Sequence, residues 1–360
     1  MYLFVLFFCS LYLYFLENKN IKINFISTFP CFLVYFLVAG LQYQVGTDYN
    51  NYIRIYNSIH LQEKYFTSGE YIFYFTVKAL TKLNFHYQSL FLLFSLFQSL
   101  PIFIYLYILH NKFKIKPWLL FFLFFCITGI YNNQLSGIRQ YAALTLLPLL
   151  TYYIFYNRIF MAILLISIAI GFHQSALIFI IIFPLAYVYK RFNLNPFYIF
   201  ILTIPLYIYI PDIAISLVDI FHIKYISYQD SIFFKPQPLI NIITKLYYLP
   251  LILYFFYIYR RTESYERKNN NYIGFCIFIM SALYFSFLMS YKIGLFYRIS
   301  SYFWFFTIIP IYYLAIHKLS KNKITDFIII ILFVLLPYIL KTTILAKGEY
   351  QYDSILFNIF

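Results

Sequence analysis

Charged residues are scarce in this sequence. Asp, Glu, Lys and Arg make up 11% of its 360 residues, whereas an ordinary soluble domain contains about 25%. Hydrophobic residues make up 63% and aromatic residues 25%, which leaves too few polar side chains to cover a soluble domain. So much Phe, Tyr, Ile and Leu also excludes a disordered chain. The composition predicts a polytopic integral membrane protein of the all-α class.

The short motifs of nucleotide and metal sites are missing as well. The sequence contains no GxxxxGK(S/T) phosphate loop, no HExxH motif and no Asp-x-Asp pair. Its four cysteines lie in apolar runs and form no CxxC pair, so neither a disulfide framework nor a zinc site is expected. We therefore expect neither a bound metal nor another cofactor.

The basic residues outnumber the acidic ones, 27 to 12. They are scattered among short loops without a basic–aromatic motif, which favours the lipid bilayer over nucleic acid as the partner. Six short loops hold 15 of the 27 basic residues: 17–22, 110–116, 156–158, 190–195, 260–271 and 317–324. Because positive loops stay in the cytoplasm, this pattern places the longer polar segments 44–70 and 219–239 outside.

The apolar runs predict about 12 transmembrane helices. They lie at 2–16, 23–43, 87–109, 117–131, 134–155, 159–172, 174–189, 196–218, 240–259, 272–290, 295–316 and 325–345. The first run has neither a basic n-region nor a small-x-small cleavage site, so we expect it to be a retained span. Segment 159–189 is short for two full crossings. A single crossing, however, would put the basic residues of 260–271 outside, so we expect a short hairpin that turns near Gly171–His173.

The simplest division is a single integral membrane domain over 1–360. Within it, 44–86 is expected to be an outer loop with an amphipathic helix, and 219–239 a second outer loop. The amphipathic helix is predicted over 71–85, where Lys78 and Lys82 are four residues apart and share one face.

An arginine within an apolar run usually faces a cavity, a partner or a substrate. In the predicted helix 134–155 and the residues before it, Asn132, Ser136, Arg139 and Gln140 have the spacing of one helical stripe. One interpretation is an anion site in which the Arg139 guanidinium binds phosphate oxygens. The alternative is an arginine that snorkels within its own bundle.

His173 lies between two apolar stretches, in GFHQSALIF. A lone histidine is often structural, but the predicted topology puts His173 on the same side as Arg139. A neutral imidazole there is suited to accept a proton from a hydroxyl nucleophile.

The segment 45–59 follows the second predicted span. Asp48 either caps a helix that begins at Tyr49 or joins Tyr49 and Tyr52 in a sugar site, where a carboxylate takes hydroxyls and rings take C–H faces. Arg54 is expected to pair with Glu70 or Glu63. Glu70 has an alternative role as a first-turn carboxylate on a helix dipole.

Near the end of a late hairpin, Lys292 and Arg298 stand beside two tyrosines. They are either part of an anion site or interfacial cations in an aromatic belt.

Taken in order, these segments make the sequence resemble the EpsG-type branch of the Wzy-like bacterial polysaccharide polymerases. The residues that carry the resemblance are Gly46–x–Asp48–Tyr49–x–x–Tyr52 with Glu70, Ile138–Arg139–Gln140–x–Ala142, His173–x–Ser175–Ala176–Leu177–Ile178 and Tyr297–Arg298.

The resemblance implies a glycosyltransferase of GT-C-like architecture in the bacterial inner membrane, with its active site facing the periplasm or exterior. Its substrates would be oligosaccharides on undecaprenyl diphosphate, which it joins into O-antigen or exopolysaccharide. A chain-length-regulating co-polymerase and a flippase are the implied protein partners.

For that chemistry we assign Arg139 to the diphosphate, with Arg298 or Lys292 assisting. His173 or Asp48 is the base. Tyr49, Tyr52, Arg54, Glu70 and Gln140 are the remaining candidates for substrate binding.

Three other functions compete. A flippase or other transporter of lipid-linked oligosaccharides should show repeated halves, and the sequence has no internal repeat. An O-antigen ligase uses the same donor and the same arginine chemistry. A membrane O-acyltransferase is a third candidate, but no acyl-donor signature accompanies it.

Overall fold

The computed structural model describes residues 1–192, 194–221, 235–266 and 271–357, and it is built almost wholly of helices. Within these ranges no strand is formed, and the β contact is an isolated antiparallel bridge between Gln42 and Ser354. The α-helices are α1 (Tyr2–Asn18), α2 (Phe25–Gly40), α3 (Tyr49–Asn57), α4 (Ile59–Thr67), α5 (Tyr71–Lys82), α6 (Gln88–Phe113), α7 (Pro117–Thr128), α8 (Ile130–Ser136), α9 (Ile138–Leu144), α10 (Leu147–Phe155), α11 (Ile159–Phe172), α12 (Ile182–Phe192), α13 (Pro196–Phe221), α14 (Leu239–Leu246), α15 (Leu249–Glu266), α16 (Asn271–Leu283), α17 (Leu295–Phe303), α18 (Ile308–Ser320) and α19 (Ile324–Thr342).

The chain divides into two compact units. The first unit comprises Met1–Ile180 and Ile328–Phe360, and the second comprises Ile181–Phe327. The first unit therefore contains α1 to α11 and most of α19.

In the part of the chain that the structure describes, seven helical segments are long and apolar enough to cross a membrane, which confirms the polytopic class. They are Gln88–Phe113, Gln174–Phe192, Pro196–Ile213, Leu239–Tyr259, Tyr272–Tyr291, Phe296–Ser320 and Ile324–Thr342. The bent pair α7–α8 makes an eighth if it is one span, and α1, α2 and α11 are apolar but shorter. The predicted count of about 12 is therefore not confirmed.

The predicted helix 134–155 is broken in this structure. α7 and α8 meet at an angle of 53° across Gly129, whose φ of +63° is favourable only for glycine. A second break falls at Gly137, between α8 and α9. The predicted polar stripe is therefore wrong: Asn132 is fully buried and accepts a hydrogen bond from Tyr338, away from Arg139.

Gln98 of α6 stabilises the second break. Where a helix is interrupted in an apolar environment, its carbonyl groups need partners from elsewhere. The Gln98 amide nitrogen donates to the Ile138 carbonyl at 2.9 Å and to the Gln134 carbonyl at 3.4 Å. The side chain is 2% exposed, so this amide holds the start of α9 in place.

Aromatic side chains fill the core around this break. Tyr35 of α2 and Phe125 of α7 each lie with their ring centroid 4.5 Å from that of Tyr131 in α8. Such pairs contribute about 0.5–1.5 kcal/mol beyond their buried area. The high aromatic content is thus used to pack short, angled helices together.

α5 covers most of the segment 71–85 that was predicted to be amphipathic. Its inner face buries Phe73, Tyr74, Val77 and Leu80, whereas Lys78 and Lys82 are exposed. The predicted outer loop 44–86 also contains α3 and α4, so it is a small helical layer. Most of the second predicted outer loop, residues 222–234 of 219–239, lies outside the described residues.

The predicted interruption near Gly171–His173 is also present. α11 ends at Phe172, and His173 is extended with φ −157° and ψ 125°. A 3-10 segment then begins at Gln174. Because His173 is extended, its side chain points out of the helix and toward the start of α5.

Candidate functional site

Glu70 is the centre of a charged cluster in the first unit. Its side chain is 5% exposed. One carboxylate oxygen, Oε2, accepts a hydrogen bond from Nη1 of Arg139. The other, Oε1, lies 2.6 Å from Nδ1 of His173 and 3.3 Å from the backbone nitrogen of Gln174. We call Glu70, Arg139 and His173 the Glu70 cluster.

The Glu70 carboxylate determines the tautomer of His173. An ionised carboxylate only accepts hydrogen bonds, so Nδ1 must carry the proton. In the neutral imidazole the lone pair then lies on Nε2. Within the described part of the chain Nε2 has no hydrogen-bond partner, and the side chain is 23% exposed. His173 is therefore oriented to accept a proton from outside the cluster.

The electrostatics of the cluster keep Glu70 ionised. Burial acts to raise the pKa of this carboxyl group, but the hydrogen bond from His173 and the charge of Arg139 outweigh it. The net result is a pKa below the ordinary value of 4.5. Near neutral pH the positive charge of Arg139 and the negative charge of Glu70 therefore cancel.

Aromatic rings surround the guanidinium of Arg139. Its central carbon lies 4.4 Å from the ring centroid of Tyr65, 5.0 Å from that of Phe73 and 5.9 Å from that of Tyr52. Rings at these distances attract a cation and restrict its orientation. The Arg139 side chain is nevertheless 18% exposed, so part of its guanidinium group remains accessible.

Two glycines allow the helices of the cluster to approach each other. Gly69 has a φ of +81° and turns the chain between α4 and Glu70. At Gly171, an added Cβ would lie 2.7 Å from Cγ1 of Ile72. The last turn of α11 therefore rests against the first turn of α5, and this contact brings His173 to Glu70.

Asp48 lies close to the same aromatic rings. Burial is the main cause of the raised pKa of Tyr52 and Tyr65, and the charge of Asp48 adds to it. Asp48 precedes α3, as predicted, but its side chain does not cap that helix. The carboxylate is exposed, so it remains available to a ligand.

The loop that carries Asp48 is fixed to α8. Gly46 has a φ of +79°, and an added Cβ there would lie 2.9 Å from the Cα of Ser136. The hydroxyl groups of Thr47 and Ser136 are hydrogen-bonded at 3.2 Å. The Gly–x–Asp spacing thus brings Asp48 to the side of the bundle where α9 and Arg139 begin.

Tyr49 and Tyr52 belong to the packed layer below Asp48. Tyr49 is 1% exposed, stacks on Phe91 at 4.5 Å and donates to Gln88. Tyr52 is 3% exposed and forms one wall around Arg139. Neither ring is open to a sugar in this structure.

Arg54 does not pair with Glu70. The partners of Glu70 are instead Arg139, His173 and the backbone of Gln174, and the alternative partner of Arg54, Glu63, stays a prediction. Arg54 lies on the exposed side of α3. Gln140 is half-buried and follows Arg139 in α9.

Lys292 and Arg298 belong to the second unit. Lys292 forms an ion pair with Asp212, and because both side chains are well exposed this pair contributes little to stability. Arg298 is exposed on α17. In the same unit, Nζ of Lys245 lies 4.0 Å from the ring centroid of Trp304.

The sequence analysis missed three features of the site. It assigned Glu70 to the substrate and not to the centre of the cluster, and it did not select Tyr65 or Phe73. The one local signal is the spacing of Glu70 and Phe73, which are three residues apart and so share a face of α5. The contacts with Arg139 and His173 span 69 and 103 residues, which no local pattern reveals.

Among the residues that the structure describes, no three His, Cys, Asp or Glu side chains are grouped to hold a metal ion. The Glu70 cluster itself offers a proton acceptor at His173 and a partly accessible guanidinium at Arg139.

Comparison with known proteins gives one family. A model described as the EpsG family matches residues 25–354. No curated protein matches the chain, and no solved structure does either. Since the match extends over nearly the whole sequence, the chain belongs to the EpsG family.

Proposed function

We propose that this EpsG-family member is a polysaccharide polymerase that joins lipid-diphosphate-linked oligosaccharide repeat units at the outer face of the bacterial inner membrane. The family supports a polymerase-like function in polysaccharide biosynthesis. The observation that carries the proposal is the Glu70 cluster, in which one carboxylate holds a histidine and an arginine.

The reaction is a glycosyl transfer. An acceptor hydroxyl oxygen attacks the anomeric carbon of the donor sugar, and the bond from that carbon to the lipid diphosphate breaks. The hydroxyl proton goes to Nε2 of His173, and the bonding electrons leave with the diphosphate. A positioned general base of this kind contributes about 10²–10⁴ in rate.

Glu70 acts on both partners. It orients the His173 ring through Nδ1 and stabilises the imidazolium that forms after proton transfer, as a buried carboxylate does in other catalytic dyads. It also fixes one edge of the Arg139 guanidinium. The accessible part of that guanidinium then faces the negative charge that develops on the leaving diphosphate.

Asp48 has the second role in this scheme. Its exposed carboxylate beside Tyr52 and Tyr65 is placed to accept hydrogen bonds from acceptor hydroxyl groups. It is also the competing base, because it is exposed and has no hydrogen-bond partner among the described residues.

A purely structural Glu70 cluster is the main alternative. Buried ion pairs often add little net stability, and such a pair would serve only to hold α5, α9 and α11 together. Partial exposure argues against that role, because His173 and Arg139 are 23% and 18% exposed and neither is enclosed.

Deletion of the gene and complementation with variants tests the proposal. Arg139→Lys retains the positive charge but loses the planar guanidinium group, which can donate two hydrogen bonds to one anion. We expect normal protein level and loss of long chains, with single repeat units accumulating on the lipid carrier or the core. Arg191→Lys, at an exposed position of α12, is the matched control and should restore the full ladder on a gel of surface polysaccharide.

Three outcomes would contradict the proposal. A full ladder with Arg139→Lys at normal protein level would remove Arg139 from the reaction. Repeat units that stay on the inner leaflet would indicate a flippase. Long chains that remain on the lipid carrier would indicate a ligase.

A further inference from the structure

A second polar cavity lies at the other end of the first unit. Arg158 precedes the first residue of α11, and His173 follows the last. The 14 residues of α11 separate these two ends by about 21 Å. The cavity is lined by Ile108, Lys112, Tyr152, Tyr153, Tyr156, Arg158 and Met161.

The charge of this cavity is positive and uncompensated. Lys112 and Arg158 both line it, and each repels the other. No Asp or Glu is present among the lining residues, and within the described chain neither cation forms an ion pair. Nearby Lys116 differs, because it pairs with Glu17.

Two tyrosine rings fix the position of Lys112. Its Nζ lies 5.2 Å from the ring centroid of Tyr152 and 5.5 Å from that of Tyr156. One N–H donor of Lys112 also contacts the Tyr152 side chain, and an ammonium group has two further donors for a ligand. The cavity has a volume of about 530 Å³, which lies in the usual range for small-ligand sites.

The surface next to the cavity is apolar. Side chains of α6 and α11 that point away from the protein core are largely exposed there: Ile104 44%, Tyr107 45%, Phe160 79% and Ile163 55%. In a membrane protein such a surface faces acyl chains. The cavity therefore combines two cations with an adjoining lipid-facing wall.

We propose that this cavity binds the phosphate group of an anionic phospholipid, at the membrane face opposite the Glu70 cluster. Lys112 and Arg158 contact the phosphate, and the acyl chains lie along α6 and α11. A lipid headgroup and free phosphate would offer the cavity the same kind of phosphate oxygens. At a membrane surface the lipid headgroup is present at a far higher local concentration than free phosphate.

Native mass spectrometry of the detergent-solubilised full chain tests this site. The protein is titrated with phosphatidylglycerol or, in parallel, with phosphatidylcholine. We expect one preferred adduct with phosphatidylglycerol. The Lys112→Gln/Arg158→Gln double variant should bind it at least 10-fold more weakly, since each basic residue near an anionic lipid surface contributes roughly fivefold.

The matched control is Lys19→Gln/Lys114→Gln, which removes two exposed cations that do not line the cavity. It should bind phosphatidylglycerol as the wild type does. If the first double variant does not fold, the single variants Lys112→Gln and Arg158→Gln replace it, with about a fivefold loss expected for each.

Equal losses in the two double variants, or no loss in either, would overturn the proposal. Equal binding of both lipids would also overturn it. A further titration with inorganic phosphate distinguishes the source. Failure of millimolar phosphate to displace the lipid supports the lipid site, whereas binding of phosphate itself with the same dependence on Lys112 and Arg158 would assign the cavity to a free anion.

Discussion

At the scale of single residues, the molecule is organised around one buried carboxylate. Glu70 accepts hydrogen bonds from His173 and Arg139 at the same time, and in doing so it fixes a tautomer and an orientation. The sequence analysis identified the three residues but not their arrangement. Residue type and spacing show that Arg139 and His173 are unusual in apolar surroundings, whereas their common partner depends on how α5, α9 and α11 pack.

The first prediction concerns the tautomer. In Glu70→Gln a neutral amide replaces the carboxylate, so it no longer holds the proton on Nδ1 of His173 by charge and no longer stabilises the imidazolium, and the base is weakened. By analogy with the loss of an orienting carboxylate in hydrolase triads, we expect chain extension to fall by about 10²–10⁴. Extension is measured in membranes supplied with lipid-linked repeat units.

Glu63→Gln is the matched control, because Glu63 is an exposed carboxylate on the neighbouring α4. It should extend chains at the wild-type rate. Full activity of Glu70→Gln at equal protein level would mean that the carboxylate does not orient the base.

The second prediction concerns pH. The pKa of Glu70 is lower in the folded protein than its ordinary value of 4.5. Its contribution to stability is therefore complete above about pH 4.5 and is lost as the pH falls through the folded-state pKa. Between pH 5 and 3, the melting temperature of the wild type should fall more steeply than that of Glu70→Gln. Parallel curves would show that Glu70 is not ionised in the folded state.

At the scale of elements, the site depends on breaks rather than on regular helices. Apolar runs predicted α6 and α11 well, and the amphipathic pattern predicted α5, because burial of a continuous apolar face determines such helices. The run 134–155 was predicted as one helix because nothing in hydropathy marks Gly137 as a break. Gln98, about 40 residues earlier, stabilises the break through hydrogen bonds to the carbonyl groups of Gln134 and Ile138.

The third prediction tests the loop that carries Asp48. Gly46→Ala places a Cβ 2.7 Å from that of Ser136 and also strains a φ of +79°. We expect a lower melting temperature and weaker chain extension, since the loop must move away from α8 and take Asp48 with it.

Gly348→Ala separates these two effects. Gly348 also has a positive φ, +56°, but an added Cβ there meets nothing within 4 Å. Gly348→Ala should lower the free energy of unfolding only by the conformational cost of a Cβ at positive φ, about 1–2 kcal/mol. Its chain-extension activity should equal that of the wild type. Equal behaviour of the two variants would mean that the contact with Ser136 does not position Asp48.

At the scale of the whole molecule, composition alone predicted the class. With 11% charged residues the chain has to be covered by lipid, and seven segments among the described residues are long and apolar enough to span a membrane. The number of spans was not predictable, because α1, α2, α7 and α11 are short helices whose role in crossing depends on tilt and on neighbouring helices.

The fourth prediction concerns orientation. The positive loops and the polar outer helices indicate that α3 to α5 face the exterior and the loop after α6 the cytoplasm. All four native cysteines are buried, which gives a low background for labelling. Glu63→Cys should react with a membrane-impermeant maleimide in intact spheroplasts, and Lys114→Cys only after the membrane is opened. The reverse pattern would place the Glu70 cluster on the wrong face for a lipid-linked donor.

The most direct test of the account is the rate of chain extension by the purified protein with lipid-diphosphate-linked repeat units, compared between the wild type and His173→Asn. The asparagine amide nitrogen takes the place of Nδ1 and keeps the hydrogen bond to Glu70, but it has no counterpart of Nε2. We predict a fold and melting temperature close to those of the wild type, together with a rate lower by about 10²–10⁴. The exposed His60→Asn should retain the wild-type rate. A rate for His173→Asn close to that of the wild type would contradict the assignment of His173 as the base.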